Sequence, residues 1–160
     1  MIANGLFISK LAYLIVLWGG CGTVLKHSIQ VIQNKAARLV TRVDWSVPTA
    51  EVLQQCGWLS VNQLCFYHAV LQVFKVKQTK TPKYLHSMHH SSDYIYKTRQ
   101  ADSGQIKLKS KPKLDISKNS YRWRAANQYN MLPSDIRNSE SVAIFKLRVK
   151  TWIRTNVSLY

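Results

Sequence analysis

The stretch from Val24 to Val43, VLKHSIQVIQNKAARLVTRV, constrains the fold most, because its apolar residues keep one spacing along the whole length. Leu25, Ile29, Ile32, Ala36, Leu39 and Val43 alternate steps of four and three, which puts them on one stripe of an α-helix. The expectation is a long amphipathic helix with that stripe buried. Lys35, Arg38 and Arg42 recur on a neighbouring face beside Gln30 and Asn34, and the stretch holds no carboxylate. A face with donors and positive charge but no acid attracts phosphate or another anionic partner. The competing interpretation is an ordinary helix with a solvated basic side.

The rest of the chain carries the same charge bias. Lys and Arg total 23 against 7 acids in 160 residues, a formal charge of +16 with a pI near 10.0. Such a chain repels itself unless an anion is nearby, so the expected partner is nucleic acid, with an anionic membrane surface as the competitor. A hydrophobic content of 46% excludes wholesale disorder and supplies a core. Asp44, Glu51, Asp93, Asp102, Asp115, Asp135 and Glu140 are scattered, with no adjacent pair to hold catalytic metal ions. No metal and no cofactor is expected. Cys21, Cys56 and Cys65 form no CxxC and leave an odd thiol in any disulfide scheme, which favours a reducing, intracellular setting in the nucleus or cytoplasm. The sequon at Asn156 is treated as chance.

Leu6 to Trp18 is apolar but too short to span a bilayer, and Lys10 lies inside it. No basic residue precedes it, as a signal peptide would require. A buried helix over about 2–17 is expected instead, stopped by Gly19, Gly20 and Gly22. GGCGT lacks the Gly-Lys-Ser/Thr ending of a phosphate-binding loop and is taken as a turn. Pro48 and Thr49 open a short helix, with Thr49 as its cap, and Gly57 closes it. Ser60 and Gln63 form a capping box, and Leu59 and Leu64 stand at the positions of a hydrophobic staple. Val61, Leu64, Tyr67, Leu71 and Phe74 then make an apolar stripe through about Val76. Cys65 and His68 on that helix have no second pair to complete a metal site, so they belong to the core.

Lys77 to Pro82 breaks the pattern, and a boundary is placed at 78/79. A short helical turn follows at Pro82 to Leu85. His86, His89 and His90 lack the Cys and His spacing of a zinc knuckle and are assigned to a surface loop. Ser91 to Lys118 shows no helical period, while Ile106 to Lys109 alternates as a strand would. Lys107 and Lys109 would face outward, either guarding an edge or touching phosphate. Ser120 to Asn130 is expected to be a helix in which Arg122, Trp123 and Arg124 interleave charge with an aromatic ring, an arrangement that suits phosphate and unpaired bases, although aromatic residues on a short helix are often core. The final helix, Ser141 to about Thr155, buries Val142, Phe145, Val149 and Trp152 and shows Lys146, Lys150 and Arg154 at steps of four. The expected fold is mainly α: a small helical bundle of about five to six helices, with a short β or extended segment near 94–116.

SKLAYLIVLWGG followed by IQVIQNKAARLVT resembles the helices after the palm in reverse transcriptases of non-LTR (LINE-type) retrotransposons. PTAEVLQQCGWLSVNQLCFYHAVLQVFKV, PKYL, YKTRQA, SYRWRAANQYNMLPSDIR and SVAIFKLRVKTWI are similar, in the same order, to the C-terminal region of those reading frames. The resemblance implies that 1–78 is a thumb-like helical domain and that 79–160 is a basic C-terminal region with an extended segment and two helices. It also implies that Lys35, Arg38 and Arg42 face a nucleic-acid backbone. The family's polymerase activity needs paired aspartates on an upstream palm. This sequence has no Asp-Asp, so the expectation is a non-catalytic C-terminal fragment that grips RNA or an RNA–DNA hybrid, with a reverse transcriptase palm as a further partner. The alternatives are a helical protein-interaction module that packs on such a palm and a basic protein of the membrane surface.

Overall fold

The computed structural model describes residues 4–89, 104–106, 108 and 112–156. They are mainly helical, and no strand occurs among them. The chain packs as two compact units, Met1–Cys65 and Phe66–Tyr160. The division falls inside one helix, so the breaker segment after Val76 marks where that helix ends.

In the first unit a π-helical turn, Asn4–Ile8, leads into α1 (Ser9–Ala12) and α2 (Ile15–Trp18). The single helix expected over 2–17 is thus interrupted. Tyr13 is extended and Leu14 takes a left-handed conformation at φ 51°. The Tyr13 carbonyl, released from helical pairing, accepts from the Trp18 indole Nε1 at 3.0 Å, and the break lets Ile15 bury while Tyr13 and Leu14 stay outside. α3 (Thr23–Thr41) and α4 (Thr49–Gln55) complete the unit, together with the first turn of α5 (Val61–Thr79). Their core is Ala37, Val52, Leu53 and Trp58, with Phe7 stacked on Trp58 at 5.7 Å between centroids.

α3 forms where its periodicity places it, but turned about its axis, so that only Ala36 and Val43 of the expected stripe pack against the core cluster. Its buried residues are Gln33 and Ala37. Leu25, Ile32 and Leu39 of the expected buried stripe are 60%, 57% and 80% exposed. Hydrogen bonding explains the turn. A helix start leaves backbone N–H groups without partners, and α3 supplies an acceptor to the start of α5: Gln30 Oε1 accepts from Val61 N at 2.7 Å. Gln33 Nε2 donates to the Leu59 carbonyl at 2.8 Å. Gln30 Nε2 in turn donates to Gln33 Oε1 at 3.0 Å and to Asn34 Oδ1 at 2.7 Å. The polar residues face inward because each has a partner there.

The local signals around α4 and α5 are realised. Gly57 has φ 69°, with Gly57 N bonded to Gln54 O at 2.9 Å and Trp58 N to Leu53 O at 2.8 Å, the paired bonds of a Schellman cap. Gln63 N donates to Ser60 Oγ at 3.3 Å and Ser60 N to Gln63 Oε1 at 3.0 Å, closing the capping box. Thr49 differs from expectation. Pro48 occupies the cap position of α4, and the Thr49 hydroxyl accepts from Arg38 instead.

In the second unit α5 continues beside α6 (Lys83–His89), α7 (Asp115–Asn119), α8 (Tyr121–Asn130), α9 (Ser134–Arg137) and α10 (Val142–Thr155). α5 is buried on nearly every side, through Phe66, Ala69, Val70, Val73, Phe74 and Val76 as well as the expected stripe. Phe74 stacks on Phe145 at 3.9 Å and Phe66 on Trp152 at 5.6 Å, so α10 runs antiparallel along α5. α10 buries Phe145, Val149 and Ile153, and Ser141 Oγ caps it by accepting from Ile144 N. The histidine segment is helical rather than a loop: α6 runs through His89, which is buried with its ring edge-on to Tyr121. His90 lies outside the described residues. So does most of the expected extended segment near 94–116, including Lys107 and Lys109. Ile106 is described, and its backbone pairs with a side chain rather than a strand: Asn130 Oδ1 accepts from Ile106 N and Asn130 Nδ2 donates to Ile106 O, both at 2.8 Å.

Candidate nucleic-acid interface

A cation that is to meet phosphate must project from a rigid element without a carboxylate to neutralise it. Lys35 and Arg42 are exposed on α3 and at its C-terminal cap, where Arg42 adopts φ 54°. Arg38, between them, is half-buried and committed to its own chain. Its guanidinium donates to the carbonyls of Asp44 at 2.7 Å and Val47 at 2.9 Å and to Thr49 Oγ1 at 3.3 Å. The planar fork of arginine suits this clamp, which fixes the loop between α3 and α4.

Three consecutive residues on a helix point about 100° apart, and α8 separates its aromatic and cationic trio accordingly. Arg122 is exposed, Trp123 is partly buried and Arg124 is buried. The interleaved pattern therefore does not present a single face. On α10 the four-residue spacing does: Lys146, Lys150 and Arg154 are all exposed.

Packing adds residues that the sequence assigned to the core or passed over. Lys150 Nζ lies 5.5 Å from the Tyr67 ring centroid, a cation–π contact that ties α10 to α5. The half-buried His68 imidazole is held below its usual range by burial and then by the charges of Lys75 on α5 and Lys150 on α10. Exposed Lys75 thus belongs to the same positive surface as Lys150. No sequence period links residues 75 and 150. Only the antiparallel pairing of their helices does, and the basic spacing on α10 was the one signal that could have led to it. Lys77, by contrast, is structural. It sits 4.9 Å over the Tyr129 ring and donates to the Gly104 carbonyl at 2.8 Å, and burial followed by the Arg137 charge lowers its pKa.

Among the described residues, Lys118 pairs with Asp115 at 2.6 Å, whereas Lys35, Lys75, Lys146 and Lys150 have no carboxylate partner within that set. No group of three His, Cys, Asp or Glu side chains able to hold a metal ion occurs among the described residues. No helix among them is long and apolar enough to cross a membrane. The arrangement provides a positive surface on α5 and α10 and a second positive face on α3. No family model matches the chain, and neither a curated protein nor a solved structure is significantly similar to it.

Proposed function

We propose that the chain binds nucleic acid through its phosphate backbone, acting by position and charge rather than by catalysis. The observation that carries this reading is the α5–α10 surface, where Lys75, Lys146 and Lys150 stand exposed on two helices locked by aromatic stacking. Fixed lysines without acids release condensed counterions when they meet phosphate, so binding tolerates sequence and weakens steeply with salt. The resemblance to the C-terminal part of non-LTR reverse transcriptases supports the same ligand and would make RNA or an RNA–DNA hybrid the natural one. A nuclear or cytoplasmic location goes with it. Titrating the full chain with single-stranded RNA and with an RNA–DNA hybrid at several salt concentrations tests the proposal. Tight binding with a steep salt slope is expected, and affinity indifferent to salt would refute it.

A second reading rests on α3. The helix face that exposes Lys35 also exposes Val31, Ile32 and Leu39, and a mixed apolar and basic face of this kind suits a protein partner such as a polymerase palm. Co-expression with such a palm would give a co-purifying complex on this reading. A monomeric chain of unchanged solubility in its absence counts against it.

A further inference from the structure

We propose that Trp45 is a stacking platform for an unpaired base of single-stranded nucleic acid, held ready by Arg38. The proposal rests on the nucleic-acid reading above and adds a contact to the bases. Trp45 is 71% exposed in the loop between α3 and α4, so its indole contributes little to the core. The loop beneath it is nevertheless fixed. Arg38 bonds the Asp44 and Val47 carbonyls and the Thr49 hydroxyl, and the Trp45 backbone N–H donates to Asp44 Oδ1 at 2.6 Å.

The clamp also touches the ring, with the Arg38 guanidinium carbon 5.2 Å from the indole centroid. A cation over one indole face orients the ring and leaves the other face to a flat, apolar ligand. A ring already held in place loses little freedom on binding. Arg42, exposed at the end of α3, stands just before the loop and supplies charge for the phosphate attached to the stacked base. A cation next to an open aromatic face is the pairing that single strands use, since every base has a π-face. Bases inside a duplex are already stacked, so the ligand is single-stranded RNA or DNA.

The test compares the full-length wild type with Trp45→Ala and Trp45→Phe. Each is titrated at fixed salt with a fluorescent single-stranded RNA oligonucleotide and, by competition, with heparin, a polyanion without bases. Trp45→Ala should lose about fivefold to a hundredfold in affinity for the RNA, the effect of removing one base–aromatic stack. Its heparin affinity should not change, and Trp45→Phe should keep most of the RNA affinity. Equal RNA affinity for wild type and Trp45→Ala overturns the proposal while leaving backbone binding intact. An equal loss on heparin also overturns it, because Trp45 would then be supporting charge placement rather than stacking on a base. If wild type binds neither polyanion, the backbone reading falls and this inference falls with it.

Discussion

Gln33, with no exposed surface, donates its amide to the backbone carbonyl of Leu59 at 2.8 Å across the first unit. Replacing it with Leu leaves that carbonyl buried without its donor and removes an acceptor from Gln30. A loss of about 1–3 kcal/mol in stability is expected by urea unfolding. Leu39→Gln, on the exposed side of the same helix, should change stability by less than about 0.5 kcal/mol.

Arg38 and Lys35 separate structure from binding on one helix. Arg38→Ala releases the bonds to the loop between α3 and α4 and should lower the melting temperature, with a cost of about 1–2 kcal/mol. Lys35→Ala should leave melting unchanged and weaken polyanion binding. A charge-reversal series on α3 that includes Arg38 would mix these two effects, so Lys35 and Arg42 are the residues to change.

Gly57 holds φ 69° with nothing within 4 Å of an added Cβ, so a substitution there meets backbone strain alone. Gly57→Ala should cost about 1 kcal/mol. Gly57→Asn should cost less, since Asn tolerates the left-handed region. Equal costs for the two variants would show that the strain lies elsewhere.

His89 gives the fold an acid limit. Burial, then the charges of Arg122 and Lys77, hold its pKa down to about 4 against an ordinary 6.5. Between those values the unfolded chain takes up a proton that the folded chain refuses, so this contribution is complete above pH 6.5 and is lost as pH falls toward 4. Unfolding midpoints measured across that window should decline with acid, and His89→Gln should flatten the decline.

These relationships were legible to different degrees in the sequence. Signals that act within one turn came through: the Ser60 and Gln63 capping box and the Gly57 cap each need only neighbours a few residues away. The inward side of α3 did not, because burying Gln33 depends on Leu59, which lies 26 residues further on. A 3–4 apolar spacing marks a stripe but cannot say whether that stripe or a hydrogen-bonded polar one meets the core. The candidate site followed the same rule. Lys146, Lys150 and Arg154 were visible as a ridge, whereas the role of Arg38 and the joining of Lys75 to Lys150 depended on tertiary packing.

Phosphate contact by Lys75, Lys146 and Lys150, exposed on α5 and α10, is the proposal on which RNA binding turns. Its most direct test is the salt dependence of single-stranded RNA affinity for wild type and for a Lys75→Gln, Lys146→Gln, Lys150→Gln triple variant, with melting measured alongside. The variant should lose no more stability than the Lys150–Tyr67 cation–π contact supplies, about 0.5–1 kcal/mol, and its log–log salt slope should be shallower by about 2, the loss of up to three phosphate contacts at about 0.7 each. A folded triple variant that keeps the wild-type slope would overturn the proposed contact.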